Sequence, residues 1–395
     1  MPPSFIFTEK YGSLSATGVA KETIFGTPVA ATTTIPTASN TMVSDPGLFY
    51  PDLMQAIRDK QVYPLQGEEK DAGAITAPLF PSNGMTMLVG SVGADVVTGA
   101  GPYTHTVTPG TTLPSFTVEK NIGNFQSLQF AGSRVSKLQI KGAMGNKEAE
   151  MTADIVSQSV SILTTPSAIV VANESPFVAA EFALSYGGYS IGQATNFQLD
   201  IENGLKETYT FNGTHQLQFL TPASLKVSGS FDVVFDVLNN NVVTGFTYTT
   251  TGTNTNPVLT SVTSTVGITA GMGISGANIP AGAIIIGVTS NTITMNVNAT
   301  AAGTLQTGTA SNVFDYFYQA SAITKGALSF SMTHPANGGS ITFNMPSVNL
   351  AKTDQKIAPG AVVMETISFE AFYDLSTGTP KTIQMVVVNG VSGAY

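Results

Sequence analysis

The hexapeptide Gly271-Met272-Gly273-Ile274-Ser275-Gly276 has the spacing G-x-G-x-x-G. In that pattern, glycines let the backbone close against a pyrophosphate. The chemistry needs a buried strand before it, a helix after it and a carboxylate about 20 residues on. Here Pro280 and Gly282 interrupt any helix, the next run is the β-branched Ile284-Ile285-Ile286, and no Asp or Glu lies between Val237 and Phe314. The glycines therefore read as turn residues between short strands. His105, His215 and His334 are far apart, each beside Thr or Pro. A zinc site takes three or four ligands. With no cysteine and no His-x3-His spacing, these histidines read as isolated surface or packed residues. Neither a G-x-S-x-G elbow nor a G-x-x-x-x-G-K-[ST] loop occurs. The expectation is no catalytic residue, no metal, no cofactor and no enzyme.

Charge is scarce and unevenly placed. Charged residues make up 10% of the 395, the net charge is −9 and only two arginines occur, Arg58 and Arg134. A chain that grips nucleic acid needs clustered Lys and Arg, so specific phosphate binding is excluded. Nine charged residues fall in the 27 from Asp45 to Asp71, among them Arg58, Asp59 and Lys60 together and Glu68, Glu69 and Lys70 together. Two readings fit that cluster: an arm that contacts a neighbouring subunit or ring, or a solvated loop. The absence of cysteine removes disulfides and thiolate ligands. The N-terminal MPPSFIFTEKYGS lacks the basic and apolar parts of a secretion signal, and no apolar run reaches 18 residues, so neither a signal peptide nor a membrane span is expected.

The elements are mostly strands. From Glu148 to Ile155, apolar Ala149, Met151, Ala153 and Ile155 alternate with polar residues. From Ser224 to Val237, Leu225, Val227, Phe231, Val233, Phe235 and Val237 point one way. Such alternation marks half-buried antiparallel strands. Leu328–Met332 and Ile341–Met345 flank Pro335-Ala-Asn-Gly-Gly339 as a hairpin. Ile367, Phe369, Ala371 and Tyr373 form another set, and Ile383–Val388 a last strand. Helices are expected at Leu53–Lys60 behind Asp52, at Met85–Val92, and after a cap at Ser311 or Asn312, with Val313, Phe314, Tyr316 and Phe317 inward.

Two similarities suggest the organisation. Gly123 and Gly204 stand 81 residues apart, as do Phe130-Ala-Gly132 and Phe211-Asn-Gly213, and Leu138–Gly142 resembles Leu225–Gly229. These are either a true duplication or a chance recurrence of strand-plus-turn patterns. The stretch between Val237 and Phe314 holds no Asp, Glu, Lys, Arg or His and alternates short apolar runs with turns. It reads as a separate all-β module. The expected division is a first β domain at 1–168, a second at 169–249 plus 312–395, and the inserted module at 250–311.

Specific stretches carry a resemblance: Lys21-Glu-Thr-Ile-Phe-Gly26-Thr27-Pro28-Val29-Ala30-Ala31, Pro78-Leu79-Phe80-Pro81, Tyr103–Val107, Leu113–Glu119, Ile367–Asp374 and Val386–Asn389. In this order they resemble the tail tube (major tail) proteins of long, non-contractile-tailed bacteriophages, over roughly 15–240 and 312–395. The 250–311 module is similar to the Ig-like or adhesin-like inserts of phage virion proteins. The resemblance implies a mainly β fold: a tail-tube-type β-sandwich or barrel with a packed short helix, duplicated, plus the inserted module. It implies a structural protein of the virion tail, made in the host cytoplasm. Such proteins assemble with themselves into stacked rings around the channel for the genome, and meet tail tip and tail terminator proteins. Duplicated members form trimers with pseudo-sixfold rings, and single-domain members form hexamers. DNA passes without specific binding. The alternative is a β-rich adhesin or carbohydrate-binding surface protein, suggested by the Thr- and Asn-rich module.

Overall fold

The computed structural model describes residues 12–395 except 53–62, 124–125, 146, 169–173, 187–188, 192–193, 235–241, 252–255, 269, 271, 313–324, 335–337, 357–358, 361 and 376–380. The first stretch contains β1 (Ala16–Lys21), β2 (Thr33–Ile35), β3 (Ser39–Asn40), β4 (Val43–Asp45), β5 (Leu48–Phe49), β6 (Leu65–Gln66), β7 (Lys70–Pro78), α1 (Met85–Val92), β8 (Gly93–Thr98), β9 (Tyr103–Pro109), β10 (Phe116–Ile122), β11 (Gln126–Ala143), β12 (Glu150–Ser157) and β13 (Ser159–Leu163). Next come β14 (Phe182–Tyr186), β15 (Tyr189–Ser190), β16 (Ala194–Glu202), β17 (Lys206–Thr208), β18 (Phe219–Thr221) and β19 (Lys226–Val234). The charge-free stretch holds β20 (Val242–Thr250), β21 (Val258–Thr260), β22 (Met272–Gly276), β23 (Ile285–Val288), β24 (Ile293–Met295) and β25 (Gly303–Asn312). The chain closes with β26 (Lys325–Thr333), β27 (Ser340–Lys356), β28 (Met364–Ala371) and β29 (Gln384–Asn389).

Antiparallel pairing runs continuously through β7, β12, β11, β16, β19, β28 and β27, with β3 and β4 side by side along β7's other edge. The two longest strands, β11 and β27, change partners part-way. β11 pairs β10 and β13 by its first half and β12 and β16 by its second. β27 pairs β26 and β29 by its first half and β28 by its second. A strand that switches partners in this way makes a corner between sheet layers. One apolar core serves both halves of the chain. Within it the Phe197 and Phe330 rings stack with centroids 3.8 Å apart, and Phe330 stacks on Phe343 at 5.9 Å.

The second strand set repeats the pairing of the first. β12 lies between β7 and β11 as β28 lies between β19 and β27. β7 begins Lys70-Asp-Ala-Gly73 and β19 begins Lys226-Val-Ser-Gly229. At Gly73 a Cβ would run into the backbone of Thr41 and Met42, and at Gly229 into the Gln198 carbonyl and the Phe369 ring. Both strands thus carry glycine where the flanking chain passes closest. This correspondence differs from the 81-residue echo. Gly123 and Gly204 do share a left-handed φ, of 58° and 51°. Phe130, however, is buried in β11 while Phe211 is fully exposed, so the Phe-x-Gly similarity is a coincidence of turns.

The alternating strands pack as their pattern implies: Ala149, Met151, Ala153 and Ile155 are buried, as are Val227, Phe231 and Val233. Phe235 and Val237 lie outside the described residues, as does the helix expected at Leu53–Lys60. Met85–Val92 is helical, with all but Thr86 buried. One expectation is corrected. Tyr373 lies past the end of β28 and is exposed, because alternation holds only while the ladder lasts. Ser311 and Asn312 finish β25, paired with Gly273 and Met272. The helix expected after them lies outside the described residues.

The strands β20 to β25 form their own six-stranded sheet over a separate core that includes Phe246, Tyr248, Leu259, Ile285 and Ile293. Its first and last strands pair, Val242 opposite Ser311, so the module leaves the chain and returns at one place. The G-x-G-x-x-G glycines are corrected too. Gly273 and Gly276 belong to β22, not to turns, and Gly271 is outside the described residues. A Cβ at Gly276 would meet the Tyr248 hydroxyl, which donates to the Ala277 carbonyl at 2.7 Å. Gly276 thus makes room for a buried tyrosine, and no helix follows to receive a phosphate.

Candidate assembly surface

Two hairpin arms occupy matching places in the two strand sets. The β5–β6 arm lies between β4 and β7, and the β17–β18 arm between β16 and β19. Each exposes large apolar groups, Leu48, Phe49, Tyr50, Tyr63 and Leu65 on the first and Phe211 and Phe219 on the second. The arms are joined at their bases. The Glu69 N–H donates to the His215 carbonyl at 2.9 Å, and the Tyr209 hydroxyl to the Glu69 carbonyl at 3.0 Å. Lys70 pairs with Glu207 at 3.5 Å, and the Ser44 hydroxyl donates to Glu69 at 3.2 Å. Of the residues singled out from the charge run, Glu69 and Lys70 are therefore engaged within the chain. Glu68 is exposed, and Arg58, Asp59 and Lys60 lie outside the described residues.

Asp71 lies beneath this acidic cluster. It is 2% exposed, and neither carboxylate oxygen has a hydrogen-bond partner. Burial, with a contribution from the Glu69 charge, raises its pKa to about 6 against the opposing effect of Ser44. Burial, followed by the charges of Glu207, Glu68, Asp71 and Glu69, also pushes the Tyr209 phenol up. The second arm was not legible as a contact: Lys206-Glu207 is too short a charged stretch to stand out.

Where the two strand sets meet, β11 pairs with β16 from Lys137 opposite Glu202 to Ala143 opposite Asn196. Lys137 reaches Glu202 at 3.1 Å and Asp200 at 3.4 Å, and Gln139 donates to Asp200 at 2.7 Å. The hydrogen bond to Glu202 is the largest cause holding the Lys137 ammonium above its usual range. The two ends of the β7-to-β27 run are open: among the described residues no strand pairs with the outer side of β3 and β4, or with β27 beyond Asn349 opposite β28, and β2, β8 and β13 likewise pair on one side only.

Other polar groups act inside the fold. In Lys21-Glu22-Thr23-Ile24-Phe25-Gly26, the buried Glu22 carboxylate accepts from the Gly26 N–H at 3.0 Å, the Thr117 hydroxyl at 2.9 Å and the Gly132 N–H at 2.8 Å, fixing this loop against β10 and β11. His105 is fully buried, with ring nitrogens 3.0 Å from an Asp95 oxygen and 2.9 Å from the Val391 carbonyl. His334 is 2.9 Å from the Ser175 hydroxyl, and the His215 carbonyl serves the arm junction. Among the described residues, no three His, Asp or Glu come together as metal ligands would, and no helix is long and apolar enough to cross a membrane.

Repeated strand sets, open edges and exposed arms define a β-rich protein with two related halves. A family model described as phage tail tube protein matches residues 12–297, well over half of the sequence, and the chain belongs to that family. It is a structural component of the virion tail. The match takes in both arms, the β11–β16 junction and most of the charge-free module. No curated protein matches the chain.

Proposed function

We propose that copies of this chain join into rings that stack to form the tail tube, the conduit through which the genome is ejected. The observation that carries this reading is the recurrence of one pairing pattern, β7–β12–β11 and then β19–β28–β27, side by side in one sheet of a tail tube family member. Two tube units per chain favour a ring of three copies with pseudo-sixfold symmetry over a hexamer. The units are 1–168 and 169–249 with 312–395, save that Val242–Thr249 pairs within the sheet of the insert. The insert at 250–311 faces outward, away from the channel, since its ends meet at one place on the tube fold.

The β5–β6 arm, carrying Arg58, Asp59, Lys60, Glu68, Glu69 and Lys70, reaches a neighbouring ring or subunit, and its exposed aromatics supply the apolar part of that contact. A net charge of −9 disfavours retention of DNA in the channel. Tail tip and terminator proteins would close the two ends. Negative-stain imaging of the purified chain, with the ring's mass measured in solution, tests the reading: stacked rings of three copies are expected. A stable monomer under all assembly conditions would favour the adhesin or carbohydrate-binding alternative, which rests on the Thr- and Asn-rich module.

A further inference from the structure

We propose that β27 of one copy continues the sheet into β3 and β4 of the next copy, in the register that β11 and β16 show inside the chain. Lys352 then stands opposite Asp45 of the neighbouring copy, and Asp354 opposite Val43. This inference rests on the ring reading above and adds to it the two edges and their alignment.

The first step matches β27 to β11. In β11 the pairing with β12 slips between Val135 and Lys137, and in β27 the pairing with β28 slips between Leu350 and Lys352. After the slip, Lys137 is opposite Asp154 and Lys352 opposite Ser368. Asp154 faces Ala74, the residue after Gly73, and Ser368 faces Ser230, the residue after Gly229. The two lysines therefore hold the same place in their sets, each behind a bulge. Such bulges re-aim a strand and fix its register.

The second step matches β3 and β4 to β16. Asp45 is opposite Lys70 as Glu202 is opposite Lys226, and Val43 is opposite Ala72 as Asp200 is opposite Ser228. Ser39 is opposite Thr76 as Asn196 is opposite Asp232. The β16 strand turns its other edge to β11. The same edge of β3 and β4 has no strand partner among the described residues, and neither does β27 beyond Asn349 on the side away from β28.

Carrying one seam onto the other gives the register. Lys137 opposite Glu202 becomes Lys352 opposite Asp45, which keeps a cation against a carboxylate. Gln139 opposite Asp200 becomes Asp354 opposite Val43. Val43 is 60% exposed in the single chain, and the seam gives it a neighbour. Two open edges are a hazard for an isolated chain and are removed when each pairs with its complement. A head-to-tail contact of this kind closes into a ring when the rotation between copies closes, and otherwise runs on as a filament.

The chain has no cysteine, so introduced pairs report on the seam without background. Val43→Cys with Asp354→Cys, assembled, oxidised and run without reductant, is expected to give covalent oligomers that revert on reduction. Asp45→Cys with Lys352→Cys is a second aligned pair, and decides the matter if the first fails to fold. Val43→Cys with Thr353→Cys is offset by one residue, onto the opposite face, and is expected to stay monomeric. Rings seen by electron microscopy with no cross-link from a folded aligned pair, or with equal cross-linking from the offset pair, would overturn this seam and leave the tube reading standing. Failure of the unaltered chain to form rings would instead overturn the tube reading, and the seam with it.

Discussion

Replacing Asp71 by Asn should stabilise the unassembled chain at neutral pH and not at pH 4. The carboxyl is 2% exposed without a partner, because the single proton of Ser44, its opposite number on β4, goes to Glu69. Its pKa rises from 3.8 to about 6 on folding. The folded state therefore keeps the proton at pH values where the unfolded state has lost it. The Asp71 contribution is most favourable below 3.8, declines as pH rises to about 6, and is constant above. At about 1.4 kcal/mol per pH unit, the full loss is about 3 kcal/mol at pH 7. Asn carries no charge to bury, so the stability gap between variant and parent should widen by about 2 kcal/mol from pH 4, just above the unfolded pKa, to pH 7. Urea melts followed by circular dichroism at both pH values, on protein dilute enough not to assemble, measure the gap. The change in gap is the diagnostic, since the amide has polar atoms of its own to satisfy. A gap that is the same at both pH values would refute the reasoning and mean that the Asp71 carboxylate is satisfied at neutral pH.

Four further outcomes are expected. Phe231→Ala, in a fully packed site between Phe197 and Ile367, should cost about 3–5 kcal/mol. Asp232→Ala, which loses hydrogen bonds to Thr366 and Asn196 on a half-exposed face, should cost about 1 kcal/mol in the same denaturant melts. Deleting Val243–Ala310 and joining Val242 to Ser311 through two glycines should leave rings visible by electron microscopy, because those residues already sit opposite each other; soluble, folded protein without rings would assign the module to assembly. Exchanging Arg58 and Lys60 for Glu should leave the stability within about 1 kcal/mol of the parent and shorten tubes at low salt; tubes of normal length would return the arm to solvent.

Strands with one wet face were legible in the sequence, as β12 and the described part of β19 attest, because their side chains alternate between water and core. The module was legible from its missing charge. Its glycines were misread because glycine at a turn and glycine under a buried ring look alike until the Tyr248 ring is in place. The repeat was sought in similar letters and found in pairing: of β7 and β19, only Lys-x-x-Gly survives as a shared pattern, since register is kept by backbone bonds that most side chains do not touch. Charge marked the first arm, but its ties to Tyr209, Glu207 and His215 come from tertiary folding that brings the second arm alongside. Glu22 likewise gave no sign of burial, because the N–H groups that hold it come from Gly26 and the distant Gly132.

The pairing of β9 with β29, Val107 opposite Met385 to Tyr103 opposite Asn389, joins the early part of the chain to its last strand. On the ribosome, β9 has β8 beside it from the start, but its other neighbour is made only after β10 to β28. Contacts so distant in sequence form slowly, since a long loop must close first. The free side of β9 is thus filled only after the second strand set has been made.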